Sequence, residues 1–183
     1  MLYYYCSGIC TTDQERSFMY KKGQYVICGV NGICQIEDIT TLDLDGVDKN
    51  KKFYLLKPVF SNGSTVYKPT DSDEKTLRLA LNKKEAENLI SSIPSIDTIA
   101  IADEKTLEKT YKDLIHSCDP KALVSLIKTI HLRKEKRLLK GFKVTALDSR
   151  YFKQAEDFLY GELSVALDIP KNEVRDYITS HCE

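Results

Sequence analysis

Hydrophobic and polar residues change period partway along this chain. From Gly23 to Pro69 they alternate in short runs bounded by turn residues, the signature of β-strands. Gln24–Cys28 and Ile33–Ile39 are rich in Tyr, Val and Ile. Gly29-Val30-Asn31-Gly32 lies between them, and Asn-Gly there predicts a tight hairpin turn. A long polar turn over residues 43–50 leads to a strand at Lys52–Val59. Ser61-Asn62-Gly63-Ser64 then turns the chain into Thr65–Pro69, and Leu77–Leu81 offers a last short strand. Four or five hairpin-joined strands in about fifty residues survive only by curling into a small barrel or leaning on a neighbour.

Beyond that point the period becomes helical. Asn82 with Glu85 three residues on is a capping box for a helix through Ile93, which Pro94 ends. Asp103 is expected to open a helix to Ser117. Asp119-Pro120 opens another, running to Lys140 and stopping at Gly141. Thr145 with Asp148 starts a helix to Leu167, and Pro170 one through Ile178. Two apolar stripes support these assignments: Leu123, Ile127, Ile130 and Leu138 on one helix, and Leu147, Tyr151, Ala155, Phe158 and Leu159 on the next. The expected class is therefore α+β by segregation, a small antiparallel β module followed by an all-helical part. Residues 1–18 show no lasting periodicity and are expected to form an extension, with local packing of the Tyr3-Tyr4-Tyr5 run as the other option.

Composition narrows the function. The chain has 183 residues, 42% of them apolar, and no run near the roughly 20 apolar residues of a membrane span. Its six cysteines form no Cys-x-x-Cys and match no zinc spacing, so buried thiols in a reducing cytoplasm are expected. His116, His131 and His181 are scattered, and no nucleophile elbow, phosphate-binding glycine loop or His-Glu-x-x-His occurs. No catalytic residue, metal or other cofactor, and no small-molecule ligand, is expected.

Charge changes the picture. The net charge is zero, yet Lys121, Lys128, Arg133, Lys134, Lys136, Arg137, Lys140, Lys143, Arg150 and Lys153 crowd one stretch with only Glu135 and Asp148 against them. Arg133, Lys136, Arg137 and Lys140 share one helix sector. Lys143, Arg150 and Lys153 follow on the next helix, where Thr145 and the free N–H groups could also meet a phosphate. So many cations without local acids point to a polyanion such as DNA, held by its phosphates rather than read by its bases. A merely solvated charged face is the plainer alternative. An adaptor whose basic face binds an acidic protein is another. In the β module, free strand edges could accept a partner's strand, with Tyr54, Val66, Tyr67 and Lys68 as contacts. Alternatively the tyrosines are cross-strand core pairs.

The order of these segments resembles the CarD/CdnL family of bacterial transcription regulators. YKKGQYVICGVNGICQIEDI, TVYKP, LRLALNKKEAENLI, SCDP, LIKTIHLRKEKRL and TALDSRYFKQAEDFLYGELSVALDIPKNEV carry the likeness, over about residues 19–180. The first part is also similar to the polymerase-interacting domain of the transcription-repair coupling factor. The resemblance implies a Tudor-like β-barrel domain at 19–72 docking on the RNA polymerase β subunit through residues including Tyr67 and Lys68. It implies a helical DNA-binding domain at 73–183, with Arg133, Arg137, Arg150 and Lys153 on promoter DNA near the upstream edge of the bubble. Stabilisation of the open complex and a nucleoid-associated location would follow. The family commonly wedges a tryptophan into DNA, but this chain has none. Ile99 or Ile101 are the nearest candidate wedges, or core residues instead.

Overall fold

The computed structural model describes residues 20–43, 48–60, 65–71, 77–101 and 103–182. The expected N-terminal extension and the Ser61-Asn62-Gly63-Ser64 turn lie outside these residues. Five strands, β1 (Tyr25–Cys28), β2 (Gly32–Thr41), β3 (Lys52–Pro58), β4 (Val66–Pro69) and β5 (Leu77–Leu79), form one antiparallel sheet. Its order is β4-β3-β2-β1-β5. The outer strands β4 and β5 do not pair among the described residues, so the sheet is open. The β1–β2 connection is a single 3-10 turn, Gly29–Asn31, and the positive φ falls on Gly29 and Gly32 rather than on Asn31.

Alternation sorts the sheet's two faces. Val26, Cys28, Cys34, Ile36, Tyr54, Leu56 and Leu77 point to one side and form a buried cluster with Tyr20. Ile27 and Ile33 point to the other side, where they meet Cys118, Ala80 and Val165 from the helical half. Three of the four described thiols, Cys28, Cys34 and Cys118, are buried and unpaired, as small apolar side chains would be.

Five helices follow: α1 (Lys83–Ser92), α2 (Leu107–His116), α3 (Pro120–Leu139), α4 (Ala146–Leu167) and α5 (Val174–His181). The Asn82–Glu85 capping box forms in both directions, Asp119 caps α3 through the Lys121 N–H, and Thr145 caps α4 through the Asp148 N–H. Pro94 sits in a 3-10 turn, Ile93–Ser95. Two starts come later than expected. Asp103 accepts from the Lys105 N–H and its carbonyl accepts from the Thr106 hydroxyl, which spends Asp103 on a turn, so α2 opens at Leu107. Residues 171–173 likewise turn before α5. One core joins all five helices, with Ala86, Ile90, Tyr111, Leu126, Ile130, Ala155, Leu163 and Val174 at its centre. Each fully buried Leu or Ile contributes roughly 1.5–3 kcal/mol.

The two halves meet along α4. The Phe158 ring lies over Gly32, and Phe60 lies over Gly161; a Cβ at either glycine would stand 3.1 or 3.2 Å from the ring. Between them Arg78 Nη1 and Nη2 donate to Glu162 Oε1 and Oε2 at 2.6 and 2.8 Å. Arg78 Nε donates to the Cys118 carbonyl, and the Leu81 N–H donates to Glu162 Oε1. Glu162 is 1% exposed. A carboxylate so placed is tolerable only because its charge and lone pairs are met.

Candidate interaction surfaces

The basic region reaches its shape through α3 and α4, which run side by side and are joined by residues 140–145. Along the first turns of α3 the apolar side faces inward: Leu123, Val124, Leu126 and Ile130 are buried. Past Ile130 the polarity reverses. Arg133, Lys134 and Arg137 become half-buried against α4 and the joining segment, while Leu132, Leu138 and Leu139 turn outward. The expected stripe therefore ends at Ile130, and Leu138, assigned to it, is 60% exposed.

The inward cations are held by specific partners. Arg133 donates from Nη1 and Nη2 to the two Glu104 oxygens, and its Nε lies 3.4 Å from Asp148 Oδ1. Asp148 is fully buried and also accepts from the Tyr111 hydroxyl at 3.0 Å. Burial and that neighbouring carboxylate push the Tyr111 hydroxyl well above its ordinary range. Lys134 Nζ sits 3.4 Å from the centre of the Phe152 ring, and Arg137 Nε donates to the Lys143 carbonyl. Arg150 is paired with Glu108, which holds its guanidinium above its ordinary value.

Two expectations change accordingly. The basic stretch lacks acids in sequence but not in space, because Glu104 and Glu108 come across from the α2 segment to Arg133 and Arg150. The α4 N-terminus is no open phosphate site either: the Thr145 hydroxyl is used as its cap, and buried Asp148 stands in its first turn.

Lys128 belongs to the fold. Its Nζ donates to the carbonyls of Ile93, Pro94 and Ile96, closing the turn after α1 as a cation at a helix C-terminus does. Ile99 and Ile101 are half-buried against the helical core, and the Ile99 N–H donates to Thr129 Oγ1. Within the basic stretch, the cations left exposed and without an ionic partner among the described residues are Lys121 at the start of α3, Lys136, Lys140 and Lys143 around the α3–α4 corner, and Lys153 on α4. Beside the corner lysines stand Leu138, Leu139 and Phe142, the last 58% exposed.

The sheet offers the second surface. β4 pairs with β3 among the described residues, whereas β5 runs directly into the Glu162 contacts. On β4, Tyr67 is 47% exposed and Val66 and Lys68 are half-buried. Tyr54 is a correction. It is 1% exposed, packs against Tyr20 with ring centroids 5.7 Å apart, and its hydroxyl accepts from the Tyr20 N–H. It is a core tyrosine and presents nothing to a partner.

Sequence reasoning missed Arg78 and Glu162. Glu162 had a signal, since it falls three residues after Leu159 on the apolar stripe of α4, where an acid is out of place. Nothing local identified Arg78 as its partner 84 residues away.

A short antiparallel sheet is thus fixed to a helical bundle with a cationic corner. No cluster of His, Cys, Asp or Glu able to hold a metal occurs among the described residues, and none of the described helices is long and apolar enough to cross a membrane. Residues 20–80, the whole sheet, match the family model described as CarD-like/TRCF RID domain. The helices beyond residue 80 lie outside the match. No curated protein matches the chain.

Proposed function

We propose that this protein is a transcription regulator that bridges RNA polymerase and promoter DNA. The CarD-like domain supports a transcription-related interaction through the sheet. We assign its contact with the polymerase β subunit to β4, with Tyr67 and Lys68 meeting the partner, Val66 holding the strand on the sheet's buried cluster, and the curl of a Tudor-like barrel as the form of the domain. A strand at the side of a small sheet fits this task because partners commonly dock on such strands through alternate side chains.

The observation that carries the DNA half is the set of lysines without an ionic partner among the described residues, Lys136 on α3, Lys140 and Lys143 in the joining segment and Lys153 on α4. Arg137 stands just behind them. Arg133 and Arg150 are already neutralised by Glu104 and Glu108. They serve DNA by shaping the corner, or by exchanging a surface carboxylate for a phosphate. Grip through four lysines alone is weak. Tethering to polymerase raises its effective concentration, so modest affinity suffices. If the corner fits melted promoter DNA better than closed duplex, the open complex gains by that difference in affinity and no more.

The test is a salt titration of full-length protein on a promoter duplex. Log affinity against log salt should fall with a slope of about −3 to −4, near −0.9 per phosphate neutralised. Charge reversal at Lys136, Lys140, Lys143 and Lys153 should flatten the slope and leave polymerase capture intact. Intact DNA binding in that variant, with capture of an acidic protein lost, would instead identify an adaptor.

A further inference from the structure

Arg133 and Arg150 each hold a carboxylate of the chain's own on their outer side. Arg133 is fixed from behind, where its Nε lies 3.4 Å from the buried Asp148 Oδ1, which also accepts from the Tyr111 hydroxyl. Its place therefore does not depend on Glu104. That side chain is 71% exposed and takes both terminal nitrogens of Arg133, at 2.9 and 3.2 Å. Arg150 lies 4.8 Å from the centre of the Tyr151 ring and gives Nη2 to Glu108 Oε1, and both members of that pair are 59% exposed. Beside them a cleft of about 320 Å3 opens between α2 and α4, lined by Glu108, Lys112, His116, Arg150, Tyr151 and Gln154. Ion pairs as exposed as these hold weakly in water. A guanidinium fork that takes a carboxylate through two parallel bonds takes a phosphate with the same geometry.

We infer that Glu104 and Glu108 form an internal clasp that stands in for DNA phosphates on Arg133 and Arg150: closed in the free chain, open in the bound one. The inference rests on the DNA-bridging reading and adds a regulation of that surface. Competition within the chain holds its DNA affinity down, and two further phosphate contacts form only where DNA is kept close enough to displace the carboxylates. The clasp is built to let go. Glu104 lies in the turn before α2 and Glu108 in the first turn of that helix, so one short segment presents both. Apart from the arginines, their side chains accept only from the Tyr151 hydroxyl among the described residues, at 3.4 Å from Glu108 Oε1. Exchange leaves each guanidinium with an anionic partner, and Arg133 keeps its buried support throughout. A nucleic-acid strand, charged at every backbone unit, supplies neighbouring anions as the clasp does.

The experiment measures affinity for one promoter duplex against salt, with three full-length proteins. They are wild type, the clasp variant Glu104→Gln with Glu108→Gln, and a control, Glu87→Gln with Asp113→Asn, that removes equal charge from acids paired with neither arginine. The clasp variant should bind about tenfold more tightly than the control, with a slope steeper by about 1.8, near 0.9 for each phosphate newly held. Arg150→Gln should weaken binding several-fold more in Glu108→Gln than in wild type, where Glu108 masks the arginine; simple loss of charge would give equal effects. A clasp variant that matches the control in affinity and slope would overturn the clasp and leave the bridging reading standing. Absence of DNA binding in wild type and clasp variant alike would overturn both. A gain for poly-glutamate without a gain for DNA would assign the arginines to an acidic protein and overturn the inference too.

Discussion

At the level of single residues, the most consequential pair is Arg78 and Glu162. Glu162 is buried, bidentate to Arg78, and also accepts from the Leu81 N–H. Removing one member leaves the other charge stranded, which costs about 3–5 kcal/mol. Glu162→Ala should therefore lower the urea midpoint by a corresponding amount, and replacing both residues with apolar side chains of similar volume should recover much of it. A second prediction concerns pH. Burial first, and neighbouring Cys28 second, push the Cys34 thiol from 9.0 up to about 12. Between those values the folded chain keeps a proton that the unfolded chain releases, so stability falls as pH rises from 9 to 12. Cys34→Ala should show a shallower decline in thermal midpoint over that range. These residues also mark what the sequence does not disclose. Its capping signals are local, which is why Asn82 with Glu85 and Asp119 with Pro120 were legible. Arg78 with Glu162 and Arg133 with Glu104 join segments distant along the chain, so their pairing exists only after folding.

Among the elements, α3 and β4 carry the proposed surfaces. The five strands and the order of the five helices followed from periodicity, because alternation and the 3.6-residue stripe are imposed by which face is buried. The stripe misled at the end of α3, where Leu138 fits the period but the side beyond Ile130 that faces α4 carries Arg133 and Lys134, on Asp148 and the Phe152 ring. It misled in the sheet too, where Tyr54 and Tyr67 look alike in sequence. The first lies inside the cluster with Tyr20, and the second lies opposite Leu55 on the other face of the sheet. This difference gives a prediction. Tyr67→Ala together with Lys68→Glu should weaken polymerase capture at least tenfold with a thermal midpoint within a few degrees of wild type. Tyr54→Ala should instead destabilise by about 3–5 kcal/mol, as large core aromatics do. Affinity capture and thermal melting measured on the same preparations check both.

Across the whole molecule, the sheet and helices are fastened by Phe158 over Gly32, Phe60 over Gly161, and the Arg78–Glu162 pair. Ile27 and Ile33 lose their cover without the helical half. In the bridging account, this junction transmits position: holding the sheet on polymerase sets where the α3–α4 corner meets DNA. Glu162→Ala should thus weaken the combined effect on promoter complexes more than it weakens binding of either partner alone. The most direct test of the bridge is the lifetime of the polymerase open complex on a promoter after competitor challenge, with full-length protein present or absent. Wild type should lengthen that lifetime, and the variant reversed at Lys136, Lys140, Lys143 and Lys153 should still bind polymerase yet give the lifetime of polymerase alone. An unchanged lifetime with wild type bound, or equal lengthening by the reversed variant, would contradict the account.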